Sequence, residues 1–317
     1  MPAPLANLEA RLRAAAERVP ARVGIAVEDL ATGVISGVNA NTSMPAASTI
    51  KVPVMVEVFE QMAAGRITIN QVVHLRASDR DWGWGDLSDA PLGSAYTVEQ
   101  LLWKMITQSD NTATNMLIRL VGRQSINATM ADLGLRHTHV ADYIRSEGDI
   151  RSLRSSAGDM ARLLDAIARG QLIDAWSSQQ MMLILEGQTH NTLLPVPLPR
   201  DLKIAHKTGE LHDTLNDVGV VEGGPEPYVI AVMTTSLPTL DVGRSFIRGV
   251  SWITYQAMQQ VANWREQMGI APVDRLAQPA TATGNVSPDV RMWLPETPES
   301  PVTDGTTTSQ DGSDGAN

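Results

Sequence analysis

Residues 202–235 read LKIAHKTGELHDTLNDVGVVEGGPEPYVIAVMTT. Three short apolar or alternating runs are separated by turn-forming clusters, HD near 212 and EGGPEP at 222–227. That pattern predicts strands over Leu202–Thr208, Asp217–Glu222 and Tyr228–Thr235. At the other end of the chain Val23, Ile25 and Val27 alternate. Ala31-Thr32-Gly33 supplies a turn, and residues 34–38 return as a second strand. Between the two early strands and the three late ones the spacing is mostly helical. Thr97 stands as a cap before Leu101, Leu102 and Met105; Ser156 with Asp159, and Ser177 with Gln180, show capping-box spacing. Leu5, Leu8, Leu12, Ala15 and Val19 form a helical stripe near the start, and a last helix is expected over Val242–Trp264. The expected fold is α/β (α+β): one five-stranded antiparallel sheet, terminal helices packed on it, and an inserted all-helical domain. The sheet domain takes residues 1–50 and 200–270, the helical one 51–199.

The remaining segment, 276–317, has a different composition. It is rich in Pro, Thr, Ser, Gly and Asp, and carries six acids against one base, half of the net charge of −10. So few apolar groups cannot offset the entropy of ordering, and a disordered acidic tail is expected, with Met292-Trp293-Leu294 as a candidate docking triplet. The acidic balance argues against nucleic acid as a partner. Cysteine is absent, which excludes thiolate nucleophiles and Cys-type metal sites. No apolar run reaches the ~18 residues of a membrane span. The first 22 residues show no secretory signal pattern.

Three motifs carry chemistry. Ser48-Thr49-Ile50-Lys51 opens the apolar run VPVMVEVF. On a helix, residues three apart share a face, so the Lys51 amine would stand beside the Ser48 hydroxyl. A serine needs such a base, and a lysine can act as one only where burial or another cation lowers its proton affinity. The helix start offers free N–H groups for an oxyanion. Ser109-Asp110-Asn111 lies between two expected helices; Ser109 could relay a proton and Asn111 could hold a substrate amide. Lys207-Thr208-Gly209 ends the strand LKIAHKT, bringing a second amine and a strand edge that a substrate backbone can approach. The chain has only four lysines. A chance Ser-x-x-Lys is expected ~0.3 times and a chance Lys-Thr-Gly ~0.02 times, so the joint occurrence in order is the signal.

This triplet resembles that of class A β-lactamases and penicillin-binding proteins. The likeness extends to TVEQLLWKMITQSDNTATNMLI (97–118) and to HKTG with the strands after it, covering roughly Leu5 to Ala262. The resemblance implies a serine hydrolase that opens β-lactam amides through an acyl-enzyme. Its site would lie between sheet and helices. By match, Ser48 is the nucleophile and Lys51 its base, with Ser109, Asn111, Lys207, Thr208 and Gly209 lining the site. The N–H groups of Ser48 and Glu210 would form the oxyanion hole, and Trp84 falls where the family often has an aromatic gate. A D,D-peptidase or esterase of the penicillin-binding type, or a β-lactam or muropeptide sensor that acylates once, are the alternatives. The implied partner is a small β-lactam or peptidoglycan-like substrate, handled by a monomer with no metal or organic cofactor. The likeness suggests the cell envelope; the missing signal pattern suggests the cytoplasm.

Three departures from the family bear on the reaction. Class A enzymes deacylate with a loop glutamate followed by Leu-Asn, but residues 140–156 read VADYIRSEGDIRSLRSS. Ile144 takes the glutamate's place, and Glu147, then Asp149 and Asp142, are the acids at hand. Glu210 follows Gly209 where small residues are common, and its charge would repel a substrate carboxylate. No arginine lies in 211–221, which leaves Arg244 to meet that carboxylate. Each of these residues also has an ordinary reading. Ser48 and Lys51 taken alone read as a cap and a surface lysine, and Asn111 as a helix cap. Trp82 and Trp84 could be packed loop residues. His137-Thr138-His139 with Asp142 falls short of a zinc set. His206 could be a packed strand residue, and Met181-Met182 core filler.

Overall fold

A computed structural model describes residues 3–146, 152–224 and 226–270. Glu147, Asp149 and the tail from 276 onward, including the 292–294 triplet, lie outside the described residues. The elements alternate as the sequence pattern requires. Helix α1 (Ala3–Ala16) leads into β1 (Arg22–Asp29) and β2 (Val34–Val38). A short β3 (Met44–Pro45) and a 3-10 turn (Ala47–Ile50) deliver the chain to α2 (Lys51–Ala63). Then come β4 (Val72–His74), β5 (Ala95–Thr97), α3 (Val98–Thr107), α4 (Asn111–Val121), α5 (Arg123–Asp132), β6 (Arg154–Ser155), α6 (Ala157–Ala168) and α7 (Ala175–Glu186). The chain returns through β7 (Ile204–Leu211), β8 (Thr214–Val221) and β9 (Tyr228–Thr235), and ends its described part in α8 (Leu240–Gln267).

The five long strands form one antiparallel sheet in the order β2-β1-β9-β8-β7. The last strand thus pairs with the first, Ala26 opposite Ala231. Both faces are covered, and strand alternation sorts the side chains between them. Val229, Ala231 and Met233 of β9 join a core with Ala26, Ala205 and Val218 and the apolar sides of α2, α3, α4 and α6. Ile230 and Val232 face the other way, onto Leu5, Leu8 and Leu12 of α1 and Phe246, Ile247 and Val250 of α8. The two buried faces explain why β9 reads as a nearly continuous apolar run. No helix among the described residues is long and apolar enough to cross a membrane.

Local chemistry sets the helix starts. Thr97 accepts from Gln100 N and Gln100 returns the bond, a complete capping box. Ser156 accepts from Asp159 N. The expected cap at Ser177 is corrected: Asp174 caps α7 and accepts from Ser177 N and Oγ. Ser177 lies inside the helix because a carboxylate three residues earlier accepts its N–H first. Asn111 is likewise the first residue of α4 rather than its cap; Asp110 holds that position, accepting from Ala113 N at 2.7 Å. The strands expected from Leu202 and from Asp217 begin at Ile204 and Thr214, and α8 runs past Val242–Trp264 at both ends. Pro53 fits α2 because it sits in the first turn, where its missing N–H costs nothing. The small pairs β3–β6 and β4–β5 were not expected from sequence; two- and three-residue strands leave no pattern to read.

Candidate active site

The nucleophile segment is held at the start of α2 by the sheet. The buried Asn216 of β8 donates from Nδ2 to the carbonyls of Pro45 and Ala46, both at 3.0 Å, and its Oδ1 accepts from Thr234 N at 2.9 Å. Gly209 of β7 is pressed against the same turn. A Cβ there would lie 3.0 Å from Ser48 N and Ala46 O and 3.1 Å from Ala47 Cβ. A side chain there would push on the turn, so glycine sets the β7 edge close beside the Ser48 N–H. Ala47 has φ +48° and Ser109 has φ +60°, both in the left-handed region that L-residues enter at a cost. Two of the four described non-glycine residues with positive φ thus lie at the site; Asn39 and Ser236 are the others.

Lys51 is fully buried, and its Nζ has four polar neighbours: Ser48 Oγ at 3.1 Å, Ser109 O at 2.6 Å, Ser109 Oγ at 3.1 Å and Asn111 Oδ1 at 2.7 Å. Lys207, also fully buried, donates to Ser109 Oγ at 3.1 Å and to Thr208 O at 3.0 Å. Burial, and then the Lys207 charge, push the Lys51 amine well below the ordinary lysine range, against the pull of Asp110 and Asp81. Burial brings Lys207 down to about 7, with Asp217 opposing. A buried amine that sheds its proton near neutrality can act as a base, which a solvated lysine cannot. Residues 48, 51, 109, 111, 207, 208 and 209 therefore meet in one place.

The other expected residues have their own partners. Arg244 of α8 pairs with Asp241 at 2.7 Å and reaches Glu210 at 3.8 Å, so two carboxylates share its charge. Trp84 is about half exposed; its carbonyl accepts from Asn111 N at 2.8 Å, and its ring stands edge-on to His190, 5.4 Å between centroids. Burial, then the Lys207 and Lys51 charges, lower the His190 proton affinity, against the Gln108 carbonyl and Glu210. Ile144 is buried in the helical core, its backbone pinned by Asn115 through Ile144 N to Oδ1 at 2.8 Å and Nδ2 to Ile144 O at 3.0 Å. Asp142 pairs with Arg123 near the surface. His137 faces Asp159, and His139 pairs its backbone with Arg154. The described residues include no group of three or more metal-ligating side chains. His206 is a packed strand residue, bonded to Asp217 at 2.9 Å and Asn191 at 2.8 Å. Met181 and Met182 are buried in the core.

Sequence reading passed over Asp81, Asn216 and His190. Asp81 lies in DWGWGD (81–86), and nothing in that local pattern ties it to Asn111 or Ser146, 30 and 65 residues away.

A serine and a buried lysine at the start of a helix, a serine–asparagine pair between helices and a second buried lysine on the edge of an antiparallel sheet define an active-site-serine hydrolase of the β-lactamase and transpeptidase fold. Residues 7–258 match the model of the beta-lactamase enzyme family. The chain belongs to that family and is a serine hydrolase acting on β-lactams. It is 28% identical over 244 residues to a beta-lactamase of Streptomyces fradiae, covering 73% of this chain and 79% of that one. Among solved structures it resembles PBP-A, with 31% identity, a TM-score of 0.76, and 80% and 96% of the two chains covered. A mutant of PBP-A is an acyl-enzyme complex with penicillin G. A beta-lactamase from Sphaerobacter thermophilus is 30% identical, with a TM-score of 0.74 and coverages of 80% and 98%.

Proposed function

We propose that Ser48 is acylated by β-lactams in a fast first step and released by water in a slow second one. The observation that carries this is the convergence of two buried amines, Lys51 and Lys207, on the hydroxyls of Ser48 and Ser109. Neutral Lys51 takes the proton of Ser48, whose Oγ bonds to the lactam carbonyl carbon. The Ser48 and Glu210 N–H groups hold the oxyanion. The C–N bond then breaks, and the leaving nitrogen receives a proton from Lys51 through Ser109. Thr208 and Gly209 present the strand edge to the substrate, and Asn111 its amide.

Release needs a base for water, and the place of the family's glutamate is taken by Ile144, an apolar side chain packed in the core. With that position apolar, the second step loses the assistance that a general base placed there would give, about 10²–10⁴-fold. The likeness to PBP-A and the engagement of Arg244 by Glu210 and Asp241 favour a second reading, D,D-peptidase activity with the same Ser48–Lys51 pair. Intact-mass analysis with a chromogenic cephalosporin separates them. We expect a burst near one equivalent, an adduct lost in Ser48→Ala, and slow steady turnover. Turnover without a burst would remove the slow-release reading, D-Ala-D-Ala peptide cleavage with inert β-lactams would establish the second, and the absence of any adduct would end both.

A further inference from the structure

Beside the site lies a buried carboxylate that the reaction above does not use. Asp81 follows the 3-10 turn Ala77–Asp79 and is 5% exposed. Its backbone is clipped to α4, with Asp81 N donating to Thr112 Oγ1 at 3.1 Å and Thr112 Oγ1 donating to Asp81 O at 3.2 Å. Its Oδ1 accepts from Asn111 Nδ2 at 2.7 Å, Ser146 Oγ at 2.6 Å and Gly83 N at 3.0 Å, and its Oδ2 from Ser146 N at 2.6 Å. We propose that Asp81 is a positioning residue for acylation: its carboxylate fixes the Asn111 amide with the carbonyl toward Lys51, which leaves the Lys51 lone pair for the Ser48 hydroxyl.

The reasoning is a count of donors and acceptors. The two ends of an asparagine amide are almost equal in size, so only the partners decide which way it faces. An ionised carboxylate accepts and never donates. With Asp81 on one side, Nδ2 must point there; the flipped amide would set Oδ1 against an anion. Oδ1 is therefore committed to Lys51 at 2.7 Å. The Ser109 carbonyl at 2.6 Å is the second partner that can only accept. A neutral amine has two N–H bonds and one lone pair. Both hydrogens are used by Asn111 Oδ1 and Ser109 O, and the lone pair remains for a hydroxyl, that of Ser48 or Ser109.

Asp81 is suited to hold a fixed charge rather than to exchange protons. Burial would raise its proton affinity, but bonds from Ser146, Asn111 and Gly83 outweigh burial and keep the carboxyl below its usual range. With four donors on two oxygens it is a poor candidate for the missing water-activating base. The charged groups that act on Lys51 are Lys207 from β7, Asp110 at the start of α4, and Asp81. Removing the Asp81 charge takes away one of the two attractions that favour the protonated amine.

The inference rests on the reading that Lys51 activates Ser48, and two measurements separate the two. The first is the acylation rate of Asp81→Asn with a chromogenic cephalosporin across pH 5–10; the second is an NMR titration of ¹³C-labelled lysine, feasible with only four lysines. We expect Asp81→Asn to acylate about 10–100-fold more slowly near neutrality, with little change in substrate affinity. Its acid limb and the Lys51 titration should both move to lower pH. Ser146→Ala keeps the anion and should leave both in place; Asp81→Ser serves if the Asn variant does not fold. A wild-type rate with an unmoved Lys51 titration in Asp81→Asn, or an equal shift in Ser146→Ala, overturns the proposal. Absence of any Ser48 adduct in the wild type with a moved Lys51 titration would instead sink the catalytic reading and leave the Asp81 effect on Lys51 demonstrated.

Discussion

Lys51 and Lys207 share one hydroxyl: each Nζ stands 3.1 Å from Ser109 Oγ. Two amines this close, both fully buried, cannot both keep their protons cheaply. Burial, and then the Lys207 charge, turn Lys51 into a base that a solvated lysine is not, and the cost is carried by the folded state.

That cost has a sign that can be tested. Lys207 binds its proton below about 7 when folded, but up to ~10.4 when unfolded. Between these values the unfolded chain holds more protons, so the Lys207 contribution makes stability rise with pH across that window. Below pH 7 the penalty is fully present. We expect Lys207→Met to be more stable than wild type by roughly 1–4 kcal/mol at pH 6, and the gain to shrink by pH 9. Thermal melts at both pH values check this; acylation should be nearly abolished.

Ile144→Glu should place a carboxylate at the position that the resemblance aligns with the family's loop glutamate. The site is buried in the helical core, so we expect a stability loss of roughly 1–3 kcal/mol. Steady turnover of a chromogenic cephalosporin should rise at least ~10-fold while the burst rate stays within a factor of about three. Single-turnover kinetics separate the two steps.

Glu210→Ala should release Arg244 from one of its two carboxylates. We expect acylation by carboxylate-bearing penicillins to quicken by about 3–10-fold, an effect that fades at high salt because Glu210 and Arg244 are each about one-third exposed. Acylation by neutral esters should not change. Rate constants at two ionic strengths decide it.

Asn216→Leu should loosen the turn that carries Ser48. The side chain makes three buried bonds to Pro45, Ala46 and Thr234; its loss takes a donor from each carbonyl and the acceptor from Thr234 N, while Ala46 O keeps Thr49 N and Oγ1. A stability loss of roughly 2–4 kcal/mol is expected, with acylation slowed even where the protein stays folded. Denaturant unfolding and burst kinetics, measured together, test both.

Much of the frame could be read from local pattern. Tyr228–Thr235 and residues 34–38 became strands with the expected ends, and Thr97 capped its helix as its spacing required. The misplaced cap at Ser177 shows the limit of such patterns: two candidate caps three residues apart compete for overlapping N–H groups, and the carboxylate of Asp174 won. Asp81 was invisible for another reason. Its partners Asn111 and Ser146 lie 30 and 65 residues away, and no spacing rule spans such distances.

The sequence by itself determined the alternation of elements and the residue types from which the site is made, because these follow from periodicity and from the order of motifs along the chain. Only the tertiary structure decided that Lys51 and Lys207 lose contact with water, that Arg244 is already engaged, and that a distant aspartate faces Asn111. Proton affinity and amide orientation depend on what surrounds a group in space, and that is set when the sheet closes β1 against β9 and presses β7 onto the start of α2.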